Sequence, residues 1–135
     1  IGNWSEKTIA KYREDPNIHF AGYVEDLVGY CKRSAMLVPV RIGSGIRAKI
    51  LVAMAQGLPL ISTTLGCEGI KVKDNESIMI ADTAAAFGKA YKTLLEDSNF
   101  SFSLVQSAQS VANKYYSQRA AAELRMKYFE EILRR

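Results

Sequence analysis

Cysteine is scarce in this 135-residue chain: Cys31 and Cys67 are the only two, and neither belongs to a CxxC or Cys/His ligand spacing. That excludes a disulfide scaffold and a structural zinc site, and it suits free thiols in a reducing, cytoplasmic setting. The single histidine, His19, sits in no metal-ligand cluster and no Ser/His/Asp arrangement. No apolar run approaches the roughly 20 residues of a membrane span. Residues 1–6 are not the basic-then-apolar start of a signal peptide. There is no internal repeat, low-complexity tract or linker-like shift in composition to divide the chain. Nor does one charge sign dominate: 18 Lys and Arg against 14 Asp and Glu give +4. The cations are spread among acids rather than gathered in a stripe with aromatics, so nucleic acid is not the indicated partner.

What is present, 48% hydrophobic and 24% charged residues, is the composition of one globular domain of ordinary size. Spacing and breakers predict helices over 4–14, 24–33, 46–56, 83–96, 100–115 and 117–134. They predict strands over 18–20, 35–40, 58–63 and around 77–80. The strand over 35–40 is apolar throughout, as a parallel strand covered on both faces would be, with Pro39 at its end. Strands and helices alternating at this spacing predict an α/β fold, a doubly wound, Rossmann-like parallel sheet with helices on both faces and a helical C-terminal tail. The chain enters its first helix with no strand before it, so the expected unit is a single domain over 1–135 that lacks its first strand and helix. The uncovered edge is expected to favour self-association.

Chemistry concentrates at Gly43, Ser44 and Gly45, between a buried strand and a helix that Gly57 should close in the left-handed conformation. Glycines there let a ligand approach backbone N–H groups at a helix N-terminus, an anion site in principle. At 100° per residue Ile46, Ile50, Ala53, Met54 and Gly57 form the stripe that faces the sheet, while Lys49, Val52 and Gln56 project elsewhere. Arg47, read as lying in the first turn, is a cation where the helix dipole disfavours cations; a bound anion resolves that conflict. His19 reads as a packing residue of its strand. Glu68, in the loop over 65–69, is either a ligand contact or a solvated loop acid.

The ordered set Asn17-Ile18-His19-Phe20-Ala21-Gly22-Tyr23-Val24-Glu25-Asp26-Leu27, Met36-Leu37-Val38-Pro39-Val40, Gly43-Ser44-Gly45-Ile46-Arg47-Ala48-Lys49-Ile50-Leu51-Val52-Ala53-Met54-Ala55, Gly57-Leu58-Pro59-Leu60-Ile61-Ser62-Thr63-Thr64 and Gly66-Cys67-Glu68-Gly69-Ile70 resembles the nucleotide-binding half of a group 1 glycosyltransferase, a GT-B enzyme of the GT4 type. The resemblance implies an enzyme of polysaccharide or other glycan synthesis that transfers a hexosyl group from a nucleotide-diphosphate sugar to an acceptor hydroxyl. It further implies retention at the anomeric carbon, no metal and no cofactor, with a missing N-terminal domain supplying the acceptor site. Carried over residue by residue, Gly22, Tyr23 and Val24 would meet the base. Gly43, Ser44, Gly45, Ile46, Arg47 and Lys49 would lie against the diphosphate and sugar. The resemblance assigns no catalytic residue in this half.

Where many members carry two glutamates seven residues apart, this chain has Ser44 and Val52. Valine can neither donate to nor accept from a ribose, and losing one charge-assisted bond weakens binding about tenfold or more. A non-catalytic sugar-nucleotide binding module is therefore a second reading. A third, an NAD-type domain, follows from Gly43-Ser44-Gly45-Ile46-Arg47-Ala48 but lacks an acid at the end of the next strand. The basic end at Arg134 and Arg135 fits either a solvated helix terminus or peripheral association with a membrane surface.

Overall fold

The computed structural model describes residues 1–43, 45 and 47–134. These form two compact units, Ile1–Lys32 and Arg33–Arg135.

In the first unit, helix α1 spans Glu6–Tyr12. Ser5 caps it by accepting a hydrogen bond from the Thr8 amide, and Glu6 lies in the first turn, where the dipole favours an acid. Asp15 then accepts from the Asn17 amide at 2.9 Å and ends the helical run. The strand expected over 18–20 does not form. A strand exists only by pairing, and this unit offers no second strand; its extended stretch is held instead by Gly2 N–H donating to the Gly22 carbonyl and by Trp4 edge-on to Phe20. His19 is accordingly exposed rather than packed. The helix expected over 24–33 shrinks to one turn, α2, at Leu27–Tyr30. Asp26 accepts from the Gly29 amide and so serves as the cap, leaving Glu25 outside the helix.

The second unit holds β1 (Met36–Val38), α3 (Ala48–Gln56), β2 (Leu60–Ser62), β3 (Met79–Ile80), α4 (Ala84–Glu96), α5 (Ser98–Tyr116) and α6 (Gln118–Leu133). The three strands are parallel in the order β1-β2-β3, with Met36 opposite Leu60 and Ile61 opposite Met79. This is the α/β class expected, a parallel sheet flanked by helices with a helical tail, although the sheet has three strands among the described residues where four were expected. Central β2 is buried at every position, as a strand covered on both faces should be. Ile61 packs with Met79, Ala81, Ala90, Leu94 and Leu104 beneath α4 and α5. Leu60 and Ser62 point to the opposite face.

β1 departs from expectation. It is an edge strand, and Leu37 is 50% exposed. The side chain lines a hollow of about 890 Å³ shared with Leu58, Leu94, Leu95 and Phe102. That hollow lies at the end where the strands begin, away from the glycine loop. Thr83, Asp97 and Ser117 cap α4, α5 and α6 with side-chain oxygens. No helix among the described residues is long and apolar enough to cross a membrane.

Candidate functional site

The polar residues of interest gather where the three parallel strands end, the edge at which open α/β sheets bind ligands. β1 runs into Pro39, Val40 and Arg41, and the Thr63 hydroxyl donates to the Val40 carbonyl at 2.6 Å, tying the end of β1 to the end of β2. Gly43 and Gly45 follow with φ of 128° and 85°, values that L side chains rarely adopt. Ser44 and Ile46 lie outside the described residues.

α3 starts at Ala48, two residues later than expected, with Arg47 as its N-cap residue rather than in its first turn. Arg47 gives the helix no side-chain cap bond, in contrast to the side-chain caps of α1, α2, α4, α5 and α6. The Arg47 carbonyl accepts from the Ile50 amide at 2.8 Å, but its side chain offers the first N–H groups of α3 no acceptor and is a cation at the positive end of a helix dipole. The Arg47 guanidinium folds back over Gly43, where an added Cβ would come within 2.7 Å of Nη2. Helix phase holds as read: Ile50, Ala53 and Met54 are buried, Lys49 is exposed and Val52 is 43% exposed. Gly57 closes the helix at φ 74°.

Across this edge, Asp82 follows β3. It accepts from the Thr64 amide at 2.8 Å and the Thr64 hydroxyl at 2.7 Å. These bonds hold the carboxyl below its ordinary range, because both favour the ionised form. Arg41, Thr63, Asp82 and Thr83 line a hollow of about 420 Å³. Sequence reasoning missed Asp82 and Thr64. The signal was available, an acid directly after an apolar strand and before a helix-capping threonine, in Met79-Ile80-Ala81-Asp82-Thr83. The loop after β2 carries the exposed Glu68 and the buried Cys67, whose thiol is pushed up by burial and is thereby a poor nucleophile.

Gly22, Tyr23 and Val24 belong to the first unit. Gly22 is turned by a φ of 64° and Tyr23 is 85% exposed, so its ring is not a packing element. No cluster of three or more metal-ligating side chains occurs among the described residues.

Comparison with known proteins gives three results. No curated protein matches the chain. Among solved structures, the chain is similar to the C-terminal domain of a glycosyl transferase group 1 family protein (LpcC) from Francisella tularensis, with a TM-score of 0.62 and 21% identity over 84% of this chain. It spans 60% of that structure's length, and at this identity the likeness establishes the fold. A family model for glycosyl transferases group 1 matches residues 1–97, well over half the sequence and including α3, β2 and the glycine loop. With the parallel sheet and the loop–helix junction already in place, that match settles the relationship: the chain belongs to the group 1 glycosyl transferases.

Proposed function

We propose that this chain is the donor-binding half of a glycosyltransferase that takes a nucleotide-diphosphate sugar and passes its glycosyl group to an acceptor hydroxyl. The observation that carries the reading is the start of α3. A nine-residue helix whose cap residue, Arg47, offers no side-chain acceptor follows a parallel strand through positive-φ glycines. Backbone N–H groups, a helix dipole and a cation together attract a diphosphate. The same groups stabilise the charge that builds on the diphosphate as the glycosyl bond breaks. Lys49, exposed on α3 and outside the ion pairs Lys73–Glu76, Lys92–Glu96 and Arg119–Glu123, is the second cation proposed for the diphosphate and sugar, although it projects from a different side of the helix than Arg47.

Gly22, Tyr23 and Val24 take the base, Tyr23 through its open ring face. The Gly43–Lys49 stretch takes the diphosphate and sugar. The reaction proceeds with retention and without metal, on a hexosyl donor, in the synthesis of a polysaccharide or related glycan. The acceptor binds a second domain, so this half alone binds donor without transferring it. The buried free thiols of Cys31 and Cys67 favour a reducing, cytoplasmic location.

The NAD-type reading finds less support: the strand after α3 ends Ser62-Thr63-Thr64, with no acid to hold a ribose. The non-catalytic reading draws on one feature, exposed Val52 at the ribose position. Calorimetric titration with UDP, GDP and ADP, with NAD as control, tests the donor site. One diphosphate should bind saturably, and Arg47→Ala should weaken it about tenfold, the value of one charge-assisted bond. Transfer by the full-length protein excludes the non-catalytic alternative.

A further inference from the structure

We infer that Gly43 is a positioning residue for Arg47: the space left by its missing side chain is the seat of the guanidinium, and that seat sets where the cation meets a diphosphate. The inference rests on the anion reading of the loop proposed above. Its basis is a difference between two glycines. Both Gly43 and Gly45 have positive φ, so both are strained by any side chain. Around an added Cβ at Gly43, however, the three nearest atoms are all Arg47: Nη2 at 2.7 Å, Cζ at 3.5 Å and Nη1 at 3.5 Å. A Cβ at Gly45 meets nothing within 4 Å.

Contact at 2.7 Å is too close for a real Cβ, so something must shift. The atom in the way is the far end of a flexible side chain. Alanine at 43 therefore moves the charge, in addition to the backbone strain that it shares with alanine at 45. A planar guanidinium recognises phosphate oxygens through paired, directional N–H bonds, and a displacement of about an ångström misaligns them. A lysine at 47 has no such planar head and does not depend on the same seat.

The test is a double-mutant cycle read by calorimetry with inorganic pyrophosphate, which carries the diphosphate chemistry without base or sugar. Arg47→Ala and Gly43→Ala should each weaken binding about tenfold. In an Arg47→Ala or Arg47→Lys background Gly43→Ala should cost no more than Gly45→Ala does, the strain share alone. Gly45→Ala, the strain control, should have the same effect whichever residue occupies position 47. If Arg47→Ala leaves pyrophosphate binding unchanged, the anion reading falls and this inference with it. If Arg47→Ala weakens binding but Gly43→Ala is additive with it, the seat alone is overturned. Should alanine at 43 unfold the protein, nitrogen NMR on the wild type decides. Hindered rotation of the Arg47 guanidinium about Nε–Cζ supports the seat, and free rotation overturns it.

Discussion

At the scale of single residues, Val52 carries the most specific consequence. It is 43% exposed on the face of α3 away from buried Ile50, Ala53 and Met54, one turn beyond Lys49. Val52→Glu should tighten nucleoside diphosphate binding about tenfold by supplying an acceptor to ribose hydroxyls, and should leave pyrophosphate binding unchanged. Equal effects on both ligands would place the position away from the ribose. Asp82 makes a second prediction. Because Thr64 stabilises its ionised form, the tie is intact at neutral pH and is lost as pH falls through the depressed folded value, below the unfolded carboxylate value of about 4. The Thr64 amide resonance should titrate below that ordinary value, and Asp82→Asn should abolish the step; titration at the ordinary value would contradict the assignment. Helix phase made the exposure of Lys49 and Val52 legible from sequence. The bond between Thr64 and Asp82 was not, since it joins residues eighteen positions apart through the ends of two strands whose pairing no local pattern reveals.

At the scale of elements, central β2 and the capped helices follow directly from apolar runs and from Thr83, Asp97 and Ser117. Ile61 is fully buried between the sheet and the α4–α5 layer. Ile61→Ala should cost about 2–5 kcal/mol of stability, measured by denaturant unfolding with the slope unchanged. A loss within about 0.5 kcal/mol, the range of surface changes, would contradict its place in the core. Residues 18–20 show where element reading stops. Ile18-His19-Phe20 has the composition of a strand, but pairing is a property of neighbours, and His19 and Ile18 are exposed without one. Likewise the helix over 24–33 was read through Asp26, whose side chain gains more by capping one turn than by extending the helix backwards.

At the scale of the whole molecule, β1 ends the sheet among the described residues and Leu37 is half-exposed beside an apolar hollow, from which we predict pairing between copies. Light scattering on this chain should show association that weakens with Leu37→Lys; a strictly monomeric wild type would contradict it. Family membership was legible in an ordered set of short motifs, because the loop–helix junction and the strand ends keep their order along the chain. The start of α3 was less legible: the dipole conflict at Arg47 was evident, but its position as cap residue and its fold-back over Gly43 required the structure. The most direct test is therefore at that point. Titrated with UDP, GDP and ADP, the protein should bind one of them saturably and lose about tenfold in affinity on Arg47→Ala, whereas no binding of any, or binding indifferent to Arg47, would contradict a donor site at this helix.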